Sequence, residues 1–184
     1  MKKLLLLFIV ILSPFVVNAQ FDKYYREIKG TMVLPESEKY ITLKFDFSKT
    51  IFDNKYSEED WALLKGKEVW EEAKQEALER IAVLMNEKMT KTRIIIVLEK
   101  MMSQGDNSVV SNYTLYITPH KYYSKGKNES TFVLKNNKSG EFVGSISAYG
   151  SGGSFGSIGN LLGDAFEKSA PEVAKIIAKK NKNK

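Results

Sequence analysis

The amino-acid sequence predicts an α+β fold, a two-layer sandwich in which two main helices pack on one face of a mixed, mostly antiparallel sheet of four to five strands. Three patterns support this prediction. Apolar and polar residues alternate over 40–47, an amphipathic helical pattern extends over 67–88, and two β-rich segments flank a short turn at 136–140.

The first 19 residues have the pattern of a signal peptide. Met1-Lys2-Lys3 is basic, residues 4–17 are almost entirely apolar, and Val17-Asn18-Ala19 matches the positions that a signal peptidase reads. An apolar run of about 14 residues is shorter than the ~20 that a membrane-spanning helix needs. We therefore expect export, a mature chain that begins at Gln20, and a periplasmic or secreted location.

Residues 20–180 are predicted to form one domain, followed by a disordered basic tail at 181–184. Residues 32–35 suggest a short extended piece, and the alternation over 40–47 predicts a half-buried strand. Ser57 is a predicted helix N-cap, and Gly66 is expected to separate a short helix from a longer one that ends near residue 88. Four residues at helical spacing should bury the longer helix against the sheet, namely Trp70, Ala77, Ile81 and Leu84.

The second half of the sequence predicts three antiparallel strands and a closing helix. The β-branched run at 93–98 indicates a central strand covered on both faces, reached from 40–47 by a right-handed parallel crossover. A strand at 109–118 should stop at Pro119, a polar turn should occupy 124–129, and strands at 131–135 and 141–149 should flank the turn at 136–140. Pro171 should kink or split a helix that starts near Asn160.

Composition excludes several classes of function. The chain contains no cysteine, so disulfides, thiolate metal sites and cysteine nucleophiles are absent. The formal net charge of +6 comes from the two leader lysines and from five lysines among the last ten residues. A basic tail on a nearly neutral body does not indicate a nucleic-acid-binding face. We expect no nucleic-acid partner, no cofactor, no metal site and no transmembrane segment in the mature chain.

The segment FVLKNNKSGEFVGSISAYGSGGSFGSIGN, followed by a helix, carries a resemblance. It is similar to the end of small secreted bacterial domains of the curli-channel periplasmic kind, and to the same region of the outer-membrane activators of peptidoglycan synthases. The likeness is best over residues 131–160. It implies a nonenzymatic domain of the cell envelope, often one that binds another protein.

Two features could indicate catalysis or phosphate binding, and a plainer reading is favoured for both. The glycines between 150 and 159 follow a strand and open a helix, but their spacing fits neither a dinucleotide fingerprint nor a P-loop, which favours a flexible or partner-contacting loop. The carboxylates at Glu58, Glu59 and Asp60 suit an acidic helix start. They leave open a loose Ca²⁺ site and, as the alternative function, a carboxylate-dependent hydrolase that acts on envelope polymers.

Aromatic and basic side chains near one strand end form the best candidate contact surface. Such groups stack on sugar rings or dock a protein partner. Together with the glycine loop they give the predicted binding residues Tyr113, Tyr116, His120, Tyr122, Tyr123, Gly152, Gly153 and Phe155. The sequence therefore predicts a noncatalytic binding or assembly module of the bacterial envelope, whose partner is another envelope protein or a glycan.

Overall fold

The computed structural model describes residues 25–99, 110–123, 127–151, 153 and 155–182. The predicted signal peptide, residues 124–126 of the predicted polar turn, Gly152 and the last two residues lie outside the described residues. Residues 127–129, predicted to belong to the same turn, form the start of a strand instead. Within them, the secondary structure comprises β1 (Tyr25–Gly30), β2 (Tyr40–Phe45), β3 (Ile51–Phe52), α1 (Glu58–Lys65), α2 (Lys67–Met89), β4 (Ile95–Val97), β5 (Tyr113–Tyr122), β6 (Lys127–Asn136), β7 (Phe142–Ser151), α3 (Ile158–Asp164) and α4 (Ser169–Lys180).

All the described strands belong to one mixed sheet in the order β1-β7-β6-β5-β2-β4, with β3 also paired to β5. The strands β5, β6, β7 and β1 pair antiparallel, whereas β2 is parallel to both β4 and β5. The α+β class, the parallel crossover from β2 through α2 to β4, and the antiparallel meander are therefore confirmed. Among the described residues the sheet has seven strands rather than four to five, and there are four helices rather than two main ones.

One apolar core lies between this sheet and the helices. Alternate residues of the strands enter it, such as Ile41 and Leu43 of β2 and Leu115 and Ile117 of β5, because side chains alternate between the faces of a strand. The stripe on α2 is buried as predicted at Trp70, Ala77 and Ile81, while Leu84 is only half-buried. An aromatic cluster fills the space beneath α1, where the rings of Phe52 and Trp61 stack with centroids 5.3 Å apart.

Two local signals act as the sequence predicts. The Ser57 hydroxyl caps α1 by accepting a hydrogen bond from the Asp60 N–H at 3.2 Å, and Gly66, with φ at 89°, separates α1 from α2. In the β6–β7 hairpin, the Asn136 side-chain oxygen accepts from the backbone N–H groups of Lys138 and Ser139 at 2.9 and 3.1 Å. Gly140 completes this turn with φ at 69°, a conformation that glycine adopts without strain.

Two strand predictions are wrong. The run at 93–98 contributes only the three residues of β4, which is an edge strand and not a central one, and its Ile95 is 47% exposed. Pro119 does not end β5, which continues to Tyr122. The register of β5 against β6 shifts between Pro119 and Lys121, so the strand accommodates a residue that has no N–H to donate.

Three predictions near the chain ends also need correction. The extended segment is β1 rather than 32–35, where the left-handed φ of 55° at Met32 interrupts the strand. The closing helix divides at 165–168, before Pro171, which lies in the first turn of α4 where a missing N–H costs nothing. The predicted disordered tail is wrong at Asn181, which is buried and hydrogen-bonded to the segment after β1.

Candidate functional site

Among the described residues, helices cover one face of the sheet, and none of these helices covers the opposite face. Buried residues of all four described helices belong to the same core as the inward-facing strand residues. The alternate strand residues form the opposite face, here called the open face. Its side chains are mostly polar and come from β2, β5, β6, β7 and β1: Thr42, Lys44, Thr114, Tyr116, Thr118, Thr131, Lys135, Ser145, Ser147, Glu27 and Lys29.

A groove of about 710 Å³ crosses the open face where β2, β5 and β6 meet the β6–β7 turn. We call it the open-face groove. It is lined by Thr42, Lys44, Glu99, Ser111, Thr114, Tyr116, Lys135, Asn136, Asn137 and Gly140.

Two of the lining residues hold the end of the groove in place. The Ser111 hydroxyl accepts from the Thr42 N–H at 3.1 Å and lies 2.7 Å from the Tyr113 carbonyl, to which it can donate. The Asn137 side chain accepts from the Thr114 hydroxyl at 2.7 Å and donates to the Ser111 carbonyl at 3.1 Å. These bonds tie the hairpin turn to the start of β5, so this end of the groove is preorganised.

The charged side chains of the groove are more accessible to solvent than Ser111, and they can reach a ligand. Lys44 pairs with Glu99 at 2.9 Å, and the Lys135 ammonium lies 5.5 Å from the centre of the Tyr116 ring. Exposed ion pairs and cation–π contacts contribute only about 1 kcal/mol or less, so a ligand can displace them at little cost. The groove therefore offers two ammonium groups, one carboxylate and one aromatic ring.

The predicted binding residues do not form one surface. Tyr116 lines the open-face groove, whereas Tyr113 is half-buried against the core. His120 is exposed, with its Nε2 atom 2.8 Å from the Thr131 hydroxyl, and it borders a separate shallow pocket of about 250 Å³. The Tyr123 hydroxyl donates to the Asn54 side chain at 3.2 Å and does not line the groove.

Tyr122 is a core residue, which corrects its prediction as a contact residue. Its side chain is 1% exposed, and its ring centre lies 5.6 Å from that of Phe52. The register shift before Lys121 turns it toward the helices. Burial, with smaller contributions from the negative charges of Asp53 and Asp164, raises the pKa of the Tyr122 phenol well above its ordinary value.

The glycine loop lies away from the groove. Phe155 is 92% exposed, and Gly153 lies beside the Asp164 carboxylate, whereas Gly152 is outside the described residues. Glycines at either end of this loop permit close packing: a Cβ at Gly150 would collide with the Ala165 carbonyl, and one at Gly159 would collide with the Glu76 carboxylate. Their role in the described structure is to let α3 approach β7 and α2.

The acidic start of α1 is explained by its local contacts. Glu58 accepts hydrogen bonds from the Trp70 indole at 3.2 Å and from the Lys74 ammonium at 3.0 Å. The Asp60 carboxylate accepts from the Ser57 hydroxyl at 2.7 Å. Partial burial lowers the pKa of Lys74, but its contacts with Glu71 and Glu58 outweigh this effect and raise it above the ordinary value.

Neither a cluster of metal-ligating side chains nor a helix able to span a membrane occurs in the part of the chain that the structure describes. There, no three histidine, aspartate or glutamate side chains lie close enough together to hold a metal ion. None of the helices in these described ranges combines the length and the apolar character needed to cross a bilayer.

Comparisons with known proteins give structural neighbours only. No protein-family model and no curated protein matches the chain. Two solved structures of the PelC dodecamer from Paraburkholderia phytofirmans are similar over 79% of this chain and 95% of PelC. A PelC point variant in space group C2 is 12% identical and PelC in space group P6 is 10% identical, each with a TM-score of 0.40.

Sequence reasoning missed most of the groove because its residues come from distant segments. Lys44 and Lys135 are 91 positions apart in the sequence and meet only because β5 pairs with both β2 and β6. A usable signal did exist, since the alternation over 40–47 already assigns Thr42 and Lys44 to the face away from the core. The strand order was needed to combine them with Tyr116.

Proposed function

We propose that this protein is an exported, noncatalytic binding or assembly module of the bacterial cell envelope, and that the open-face groove is its contact surface. The observation that supports this proposal is the open face of the sheet, on which Lys44, Tyr116 and Lys135 line a groove of about 710 Å³. Export is inferred from the leader-like first 19 residues, and the envelope from the resemblance carried by 131–160.

The chemistry of the groove favours a glycan chain over another envelope protein. Interfaces between proteins are depleted of lysine, glutamate and aspartate relative to the rest of the surface, whereas aromatic residues, methionine and arginine are enriched there. Here the accessible groups are the ammonium groups of Lys44 and Lys135, the Glu99 carboxylate and the Tyr116 ring. Sugar hydroxyls accept from ammonium groups and donate to carboxylates, and the apolar face of a sugar ring packs on an aromatic ring.

Binding of glycan strands by matched variants tests the proposal. Tyr116→Ala and Lys135→Ala should each weaken binding of isolated peptidoglycan or exopolysaccharide strands by roughly fivefold or more, as expected for contact residues that contribute over 1 kcal/mol. The controls are Tyr123→Ala and Lys138→Ala, which remove the same residue types outside the groove and should leave binding unchanged. Titration calorimetry supplies the affinities, and circular dichroism confirms that each variant folds.

Three outcomes would contradict parts of this proposal. Capture of an envelope protein that depends on Tyr116 and Lys135, without glycan binding, would assign the groove to a protein partner. Turnover of peptidoglycan that Glu59→Gln abolishes would instead support the carboxylate hydrolase.

Intact-mass measurement of protein from the native envelope should give a chain that begins at Gln20, and a mass that retains residues 1–19 would contradict cleavage.

A further inference from the structure

The two edge strands of the sheet, β4 and β1, differ in whether their outward backbone groups have hydrogen-bond partners among the described residues. At one edge, β4 presents a backbone that a neighbouring strand could extend. The Ile95 N–H donates to the Lys39 carbonyl at 2.8 Å, so Ile95 faces β2 and the backbone groups of Ile96 point away from the sheet. The Asn86 side chain occupies both of these groups, accepting from the Ile96 N–H at 2.8 Å and donating to its carbonyl at 2.9 Å. This amide closes the β4 edge.

At the other edge, β1 lacks such a closure among the described residues. The Thr31 N–H donates to the Val143 carbonyl at 3.0 Å. The register then makes Lys29–Ser145 and Glu27–Ser147 the next hydrogen-bonded pairs toward β7. It follows that the N–H and carbonyl of Ile28 point outward, and this residue is 39% exposed.

The outward edge of β1 is complementary to a second copy of itself. Glu27 and Lys29 lie on either side of Ile28, and their exposed side chains form an ion pair at 3.5 Å within the strand. In an antiparallel pairing about a two-fold axis at Ile28, Glu27 of each copy lies opposite Lys29 of the other. The charges therefore match twice in one symmetric interface.

We propose that β1 pairs with β1 of a second copy, which joins two seven-stranded sheets into one continuous sheet. Ile28 would exchange two backbone hydrogen bonds with its counterpart, because its polar groups are those that point outward. The Glu27–Lys29 pairs would then occupy the positions without backbone bonds, where side chains on opposing strands are closest. The register shift between Tyr25 and Glu27 keeps this ladder short, so the association is weak and dependent on concentration.

Substitutions that reverse the charge at Glu27 or at Lys29 test this arrangement. Sedimentation velocity at rising concentration should show that the wild type dimerises and that added salt weakens the dimer. Glu27→Lys places two lysines opposite each other, and Lys29→Glu places two glutamates opposite each other. Each single variant should raise the dimer dissociation constant by roughly tenfold. An equimolar mixture of the two variants should recover association, because each lysine pair then faces a glutamate pair.

A backbone variant gives a second, independent measurement. Ile28→Pro removes the outward N–H and leaves the bonds to β7 in place, so it should abolish dimerisation while thermal unfolding shows a folded chain. A wild type that stays monomeric at its highest soluble concentration would overturn the proposal. Association that survives both single charge variants, or a mixture that does not recover it, would overturn it as well. None of these results depends on ligand binding in the open-face groove.

Discussion

The phenol of Tyr122 is almost completely shielded from solvent. It lies in the aromatic core, and its pKa is raised by burial, with the charges of Asp53 and Asp164 adding to the effect. A phenol in an unfolded chain ionises near pH 10. Above that pH the unfolded state loses a proton that the folded state retains. The stability contributed by this group is therefore complete below about pH 10 and declines as the pH rises further.

Tyr122→Phe should remove this part of the alkaline loss of stability. We expect the free energy of unfolding of the variant to rise relative to wild type between about pH 9 and pH 11, with a much smaller difference at neutral pH. Urea titrations at pH 8 and pH 10.5 measure the difference. Tyr123→Phe, at a half-buried neighbouring position, is the control. If the wild-type and Tyr122→Phe stabilities fell in parallel, the burial argument would be wrong.

At the scale of elements, α2 organises the helix layer because its apolar stripe lies on the sheet. Ile81 is fully buried, whereas Glu72 is exposed on the opposite side of the helix. Ile81→Ala should therefore lower the free energy of unfolding by about 2–4 kcal/mol, since it deletes buried methyl groups and leaves a cavity. Glu72→Ala should cost less than about 0.5 kcal/mol. Equal losses in urea titrations would mean that the helix is rotated from the orientation described.

The Asn86 amide connects α2 to the edge of the sheet. Asn86→Ala removes both partners of Ile96 and leaves its backbone N–H and carbonyl without the bonds that they make in the folded chain. We expect a loss of about 1–3 kcal/mol in the free energy of unfolding, because each buried polar group that loses its partner incurs a desolvation cost. Glu87→Ala, at the next and exposed position of α2, is the matched control. Similar small losses for both variants would show that water replaces the amide.

Local patterns predicted the elements better than their arrangement. The caps at Ser57 and Gly66, the buried stripe of α2 and the turn at Asn136 all depend on neighbours within a few residues, which the sequence displays directly. The edge position of β4 depends on pairing between distant segments. The apolar residues of β4 suggested a central strand. In the structure, β4 can be apolar at the edge because α2 covers it from one side and the Asn86 side chain bonds its outward backbone groups. The continuation of β5 past Pro119 depends likewise on its partner strand.

For the candidate site, too, the features that depend on local patterns were predictable and those that depend on strand pairing were not. The outward alternation of Thr42 and Lys44 was visible in the sequence, as was the aromatic and basic character around Tyr116. Which of the tyrosines face outward was not visible, because the register shift between Pro119 and Lys121 reverses the alternation before Tyr122. A one-residue shift moves every later side chain to the other face of the sheet. For that reason Tyr116 lies on the open face and Tyr122 lies in the core, although both belong to β5.

At the scale of the whole molecule, Asn181 joins the two ends of the described chain. Its side-chain oxygen accepts from the Leu34 N–H at 2.8 Å, and its amide nitrogen lies 2.8 Å from the carbonyl oxygens of Met32 and Ile177. These bonds fix the end of α4 to the segment after β1. One buried side chain thereby joins the last helix to the segment that follows β1.

Asn181→Ala should lower the free energy of unfolding by about 2–4 kcal/mol, because the Leu34 N–H and the Met32 carbonyl would each lose a buried partner. Asn181→Asp separates the two roles, since its carboxylate can still accept from Leu34 but, when ionised, cannot donate to Met32. We expect Asn181→Asp to be strongly destabilised at pH 7 and to recover part of the loss as the pH falls and the carboxyl group regains a donor. Lys182→Ala, at the following exposed residue, should leave the unfolding midpoint unchanged. If the urea unfolding midpoint of Asn181→Ala equalled that of the wild type, α4 would be held by its apolar face alone, through residues such as Val173 and Ile177.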